Sequence, residues 1–231
     1  RMHYELARIF YDVAADEETD IVVLTGAGRA FCAGGDLAWL QAAADHPERF
    51  AQIAVEAKQI VYGMLDCEKP IVCRLNGDAI GLGATMVLFS DIIVASETAR
   101  IGDLHVNVGL VAGDGGAIIW PQLIGYPRAK EFLMTGKIIE GKAAAEMGLV
   151  NYAVPPEELD DKIDELTRRL ERGPTMAVRL TKAAINVGLK QLAHGMMDAS
   201  IAYESLTNTM PDHQEGLAAF REKRKPSFGG Q

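Results

Sequence analysis

A chain of 231 residues, 48% hydrophobic and 24% charged, fits one large globular domain or one domain with a small appendage. Its 32 acidic against 23 basic side chains leave a net charge of −9, which argues against general nucleic-acid binding but allows a small anionic ligand held by local positive charge. No apolar run approaches the roughly 18 residues of a membrane span, no basic segment with an apolar successor opens the chain as a signal peptide would, and Cys32, Cys67 and Cys73 make neither a CxxC pair nor a zinc spacing, so a reducing, cytoplasmic setting is expected.

In chain order, residues 4–14 read as a helix with Leu6, Ile9, Phe10 and Val13 on one face. Residues 21–25 form a continuous apolar run, the pattern of a strand buried on both sides. Residues 48–65 read as a second helix, ended by Glu68-Lys69-Pro70. A strand over 71–75, the turn Asn76-Gly77, a short buried helix over 83–89 and a strand over 92–95 follow. This alternation predicts an α/β core with parallel strands. From residue 126 onward the chain reads as helical. Leu159, Ile163, Leu166 and Leu170 keep helical spacing up to Gly173-Pro174, and two further helical segments cover 176–192 and 194–209. Leu206 and Met210 leave apolar surface there. The expected division is an α/β core over 1–173 and a helical region over 174–231, with no internal repeat or long linker.

Two runs of small residues carry the chemistry. Ala30-Phe31-Cys32-Ala33-Gly34-Gly35-Asp36-Leu37 follows the first strand, and Asn76-Gly77-Asp78-Ala79-Ile80-Gly81-Leu82-Gly83-Ala84 follows the second. Such loops expose backbone N–H groups and admit a ligand closely. One N–H from each could hold an oxyanion, as carbonyl or thioester chemistry requires. The alternative is that these glycines only make turns. Gly81-Leu82-Gly83-Ala84-Thr85-Met86 lacks the third glycine of a dinucleotide fingerprint, and neither a P-loop nor a GxSxG elbow is present.

Two groups are candidates for moving a proton. An unperturbed imidazole has its pKa near neutrality, so His105 could serve as a base; its bland role would be that of a structural or surface histidine. Asp114 lies alone among small and apolar residues in the loop 109–116, where desolvation would raise a carboxyl pKa; its bland role would be to cap a helix over 116–123. Asp103 is another carboxylate nearby. Glu131 and Glu140 read as surface residues, and Cys32, with no histidine close in sequence, as a small buried cysteine. Trp39, Leu40, Val111 and Trp120 either shape an acyl pocket or belong to the core.

Taken together, the two small-residue runs resemble the crotonase family, the enoyl-CoA hydratase/isomerase superfamily. The resemblance continues in family order through Ser90-Asp91-Ile92-Ile93-Val94-Ala95, the run from Gly109 to Gly116, Gly148-Leu149-Val150 and the closing run from Glu215 to Arg224. It implies an α/β, ClpP/crotonase-like spiral of ββα units with a C-terminal helical region that builds homotrimers, often hexamers. It implies an acyl-CoA thioester substrate, with no metal, no cofactor other than the coenzyme A of the substrate, and no nucleic-acid or membrane partner. The oxyanion donors would be the amides of Ala33 and Leu82, the latter at a helix N-terminus. Gly34, Gly35, Asp36 and Gly81 would flank the substrate. Arg29 and Lys223, the latter in a basic cluster with Arg221, Arg224 and Lys225, would reach the coenzyme A phosphates; without the resemblance they read as surface charge and a helix end.

The chain departs from the family in two ways. Family hydratases carry two glutamates where Thr85 and His105 stand here. Thr85 cannot be a base at neutral pH, so the paired carboxylates of hydration are missing. Enoyl-CoA hydratase/isomerase-type activity is expected. Isomerisation, hydrolysis or decarboxylation through Asp114 or His105 stays open, as does a catalytically silent acyl-CoA binder. Family members also open with a strand and an Asn-Arg-Pro-like turn that Arg1 does not follow, so more chain is expected upstream.

Overall fold

The computed structural model describes residues 1–229. After helix α1 (Met2–Ala15), the chain repeats one pattern: a long strand, a short one, then a helix. Strand β1 (Val22–Thr25) leads to the lone bridge residue Cys32 and then to α2 (Leu37–Asp45) and α3 (Pro47–Asp66). Strand β2 (Ile71–Leu75) leads to β3 (Ala79–Ile80) and α4 (Leu82–Leu88). Strand β4 (Ile92–Ser96) leads to β5 (Arg100–Gly102), a 3₁₀ turn (His105–Val108) and α5 (Gly116–Ile124). Then come α6 (Tyr126–Thr135), β6 (Ile139–Glu140), α7 (Gly141–Met147), β7 (Tyr152–Val154), α8 (Leu159–Glu171), α9 (Thr175–Asn208) and α10 (Pro211–Glu222). The ββα unit recurs without a repeated sequence; what recurs is the backbone pairing.

The long strands form a parallel sheet in the order β1-β2-β4-β7. The short strands form a second sheet, β3-β5-β6, with Cys32 bridged to Ala79. Parallel sheets are covered on both faces, which explains the continuous apolar runs of β2 and β4. On one face Ile71, Cys73, Leu75, Ile93 and Ala95 join the main core with Ile60, Met64, Trp120 and Met197. On the other, Val72 and Val94 meet Leu159, Ile163 and Leu166 of α8. The stripe at 159, 163, 166 and 170 is therefore the inner face of α8.

Three expectations need correction. Strand β1 is not buried on both sides: its burial alternates, and Val23 is 43% exposed, because β1 is the edge strand and α8, which covers that face, packs on β2 and β4. The two helices expected over 176–209 are one helix, α9; Ala193, at the supposed junction, is fully buried and carries the helix through the core. The segment after residue 126 is not wholly helical, since β7 completes the large sheet by pairing Val94 with Tyr152 and Ser96 with Val154. A three-residue strand is fixed by its neighbour and has too little sequence to announce itself. Among the described residues no helix is long and apolar enough to cross a membrane.

Candidate active site

The small sheet brings three loops to one edge. In its register Cys32 pairs with Ala79, Ala79 with Ile101, and Ile80 with Gly102. The Cys32 N–H donates to Asp78 O at 2.9 Å, the Ile80 N–H to Cys32 O at 2.9 Å, and the Gly81 N–H to Gly102 O at 3.0 Å. The residues that follow each pairing therefore emerge together: Ala33 from the first unit, Gly81-Leu82 from the second, Asp103 from the third. Gly83 makes the approach possible. A Cβ there would lie 2.6 Å from Cys32 O and 2.7 Å from Cys32 Cβ, so only glycine lets α4 seat against the first loop. Leu82 is the first residue of α4, and its N–H has no carbonyl of the preceding turn to bond.

The third loop supplies the titratable groups. His105 Nδ1 lies 2.6 Å from Asp103 Oδ1. Its Nε2 lies 3.6 Å from Asp114 Oδ2 and 3.9 Å from Glu204 Oε1 of α9. The Thr85 hydroxyl donates to Asp114 Oδ1 at 3.2 Å. Asp103, Asp114 and Glu204 are all buried, and the imidazole is nearly so. One buried imidazole thus sits among three buried carboxyl groups.

Burial by itself would lower the His105 pKa, but the carboxylates of Asp103, Asp114 and Glu204 outweigh it and hold the ring well above its ordinary value. Burial raises the Asp114 carboxyl; His105 opposes this, Asp103 adds to it, and the net shift is upward. Glu204 is pushed up to about 8, chiefly by burial, against His105 and with help from Asp114 and Asp103. The cluster thus joins an imidazole held toward its charged form to two carboxyl groups, those of Asp114 and Glu204, held toward their neutral forms.

His105 and Asp114 come together as candidates on one cluster, and Asp103 joins them. Asp114 is not the N-cap residue of α5, which is Gly115, but its carboxyl group also meets the backbone N–H of Gly116 at the start of that helix. Asp36 accepts the Trp39 N–H at 3.0 Å and caps α2, while Gly34 and Gly35 lie between it and Ala33. Arg29 is exposed on the way into the first loop, close enough to lower the Asp78 carboxyl after Arg100 and burial have acted. Lys223 is exposed at the end of α10, and its neighbour Arg224 is engaged by Glu215 and Glu222. Trp120 is fully buried core, whereas Trp39 is 37% exposed. Glu204 went unseen in the sequence. Its signal was the stripe Ala193, Met197, Ser200, Ile201, Glu204, Asn208, a buried helical face carrying one carboxylate.

Comparison with known proteins agrees with this geometry. The family model described as enoyl-CoA hydratase/isomerase matches residues 1–231. The chain is 33% identical to 1,2-epoxyphenylacetyl-CoA isomerase of Escherichia coli K12, over 100% of this chain and 88% of that protein. Among solved structures, an enoyl-CoA hydratase/isomerase from Mycobacterium paratuberculosis superposes with a TM-score of 0.90 at 34% identity, covering 94% of this chain and 86% of the other. A β-diketone hydrolase from the cyanobacterium Anabaena, bound to (S)-3-oxocyclohexyl acetic acid, superposes with a TM-score of 0.84 at 33% identity, covering 90% and 83%.

Proposed function

We propose, for a chain that belongs to the enoyl-CoA hydratase/isomerase family and is an acyl-CoA-processing enzyme of the lyase/isomerase type, that its reaction is an isomerisation through a thioester enolate. The acyl oxygen sits between the amides of Ala33 and Leu82. Asp114 takes a proton from the carbon chain, the electron pair moves through the α-carbon to that oxygen, and Asp114, its carboxyl proton exchanged with solvent, delivers a proton to a second carbon as the electron pair flows back. His105, as imidazolium, steadies the charge on Asp114 and is itself held by Asp103. One observation supports this above others. A Cβ placed on Gly81 would lie 3.5 Å from His105 Cε1, so the ring rests on the residue next to the Leu82 amide. Proton carrier and oxyanion donor thus belong to neighbouring parts of one backbone. Each such donor typically contributes about 3–4 kcal/mol to the transition state.

A single group that removes a proton at one carbon and delivers one at another suits isomerisation better than hydration, which needs a second group to activate water. The likeness to an epoxyphenylacetyl-CoA isomerase over the whole chain points the same way. The likeness to a β-diketone hydrolase favours one second reading, in which the same enolate is expelled by carbon–carbon hydrolysis. Gly34, Gly35, Asp36 and Gly81 flank the thioester in this reading, and Arg29 and Lys223 meet the coenzyme A phosphates. The chemistry needs no cofactor beyond that coenzyme A. We also propose a homo-oligomer, trimer or hexamer, because Met176, Leu180, Ile185, Val187 and Leu206 of α9 are each more than half exposed; light scattering of the purified protein would test this. Three free cysteines suit a reducing, cytoplasmic setting.

The test is mass spectrometry of products from a panel of thioesters in deuterated water: crotonyl-CoA, a β,γ-enoyl-CoA, a dienoyl-CoA, a malonyl-type CoA and an aryl-CoA, with a cyclic β-diketone alongside. Isomerised, deuterated β,γ- or dienoyl-CoA supports the proposal. Ring opening of the diketone alone supports the hydrolase, and silence throughout leaves an acyl-CoA binder.

A further inference from the structure

We propose that Glu204 is a positioning residue of this site: its carboxyl group and that of Asp114 together hold the outer nitrogen of His105. The inference rests on the proton-transfer reading above and deepens it. Asp114 and His105 come from one stretch of chain after β5. Glu204 comes from the far part of α9, and three features of the packing bring it there.

First, Glu204 is 7% exposed on a helix otherwise free to point it at solvent. Second, its Oε1 is 3.9 Å from His105 Nε2, on the atom that Asp114 Oδ2 approaches to 3.6 Å. Third, Gly113 lets the helix descend. A Cβ there would be 2.7 Å from both Cβ and Oε2 of Glu204, and would also strike the Ser200 carbonyl. An alanine at 113 would hold α9 away and withdraw the carboxyl from the ring. The chain thus keeps a glycine next to the catalytic aspartate whose effect is to admit Glu204.

The electrostatic consequence follows from the count of charges. The groups that face His105 are Asp103 and Asp114 from the segment after β5, Glu204 from α9 and His213 from α10, which packs on the same 3₁₀ turn through Val108 O at 2.7 Å. With all three carboxyls ionised, one imidazolium would face three buried negative charges. Glu204 relieves this by holding a proton at neutral pH. In that form its hydroxyl or carbonyl oxygen orients the ring without competing with Asp114 for its charge. Once Glu204 ionises, a second negative charge beside Asp114 opposes enolate formation, and turnover falls. The activity profile should therefore have an alkaline limb set by Glu204, near pH 8.

The experiment compares wild type with E204Q and E204D, using two readouts. One is the imidazole resonance of His105, followed through pH in the ligand-free protein, which needs no substrate. Wild type should show a second inflection near pH 8 as Glu204 ionises; E204Q should lack it, and E204D, with a shorter side chain, should show it weakened or moved. The other is the pH profile of deuterium exchange into the thioester the panel identifies. E204Q keeps the neutral shape, so it should match wild type within about threefold near pH 6 and lose the alkaline limb, whereas E204A, which frees the ring, should lose about 10–100-fold in kcat. A His105 titration identical in wild type, E204Q and E204D overturns the proposal. If no thioester is turned over, the functional reading fails, and the resonance still decides whether Glu204 holds His105.

Discussion

Asp114→Asn should separate catalysis from stability, which few substitutions at a buried polar residue do. In the structure Asp114 meets the Thr85 hydroxyl on Oδ1 at 3.2 Å, His105 Nε2 near Oδ2 at 3.6 Å and the backbone N–H of Gly116. Asparagine keeps the size and can keep one acceptor for Thr85, but it cannot receive a proton. Loss of a positioned acid/base group costs about 10²–10⁴ in rate, or roughly 3–5 kcal/mol of barrier. Stability moves the other way. The folded protein holds the Asp114 pKa above its unfolded value, because burial penalises the charged form. A raised carboxyl binds more protons folded than unfolded, so it lowers stability as pH rises from the ordinary aspartate range through the raised folded value. Asparagine removes that penalty. D114N should melt close to wild type at about pH 4 and no lower than wild type at about pH 8, while exchanging deuterium into the substrate at least about a hundredfold more slowly. Exchange within threefold of wild type would remove Asp114 from the proton transfer. A collapse of D114N stability at the higher pH would mean that the carboxylate is a structural partner of His105 and that its charge holds the fold.

Other outcomes follow from the same geometry. Gly83→Val would drive a side chain into Cys32 and part the two loops; unfolding should show a loss of about 1–3 kcal/mol, and thioester turnover should fall by at least the roughly hundredfold worth of one displaced oxyanion donor. His105→Asn leaves Asp103 and Asp114 buried without their cation, so chemical denaturation should show a loss of about 3–5 kcal/mol at neutral pH, shrinking as the pH falls and Asp114, whose carboxyl burial holds above its ordinary value, takes up a proton. Arg29→Ala and Lys223→Ala should raise KM several-fold and leave kcat alone if both meet coenzyme A phosphates, because such contacts bind ground and transition states equally; a changed kcat would remove them from that role.

How much of this could be read from the sequence depended on whether the signal was local. The two glycine-rich loops were legible because a close approach needs glycine whatever its surroundings, and Gly83 against Cys32 bears this out. The buried strands β2 and β4 announced themselves by continuous apolar runs. Edge strand β1 looked the same, because a four-residue run does not say whether a second neighbour exists. Strands β3, β5, β6 and β7 have two or three residues each and are fixed by their partners. His105 and Asp114 could be named as titratable groups in an apolar loop, but their meeting depends on a turn that begins at Gly109. Glu204 was the hardest to see: it lies ninety positions further on, on a helix, and only the depth to which α9 settles on Gly113 makes it part of the site.

The central claim is that this site holds a thioester as its enolate between two backbone amides. Acetoacetyl-CoA tests this most directly, because its enolate absorbs in the near ultraviolet and its keto form does not. Mixed with excess protein at neutral pH, where little enolate exists free in solution, the ligand should gain enolate absorbance on binding, and the gain should vanish with G83V. Tight binding of acetoacetyl-CoA in its keto form, with no new absorbance, would contradict the account.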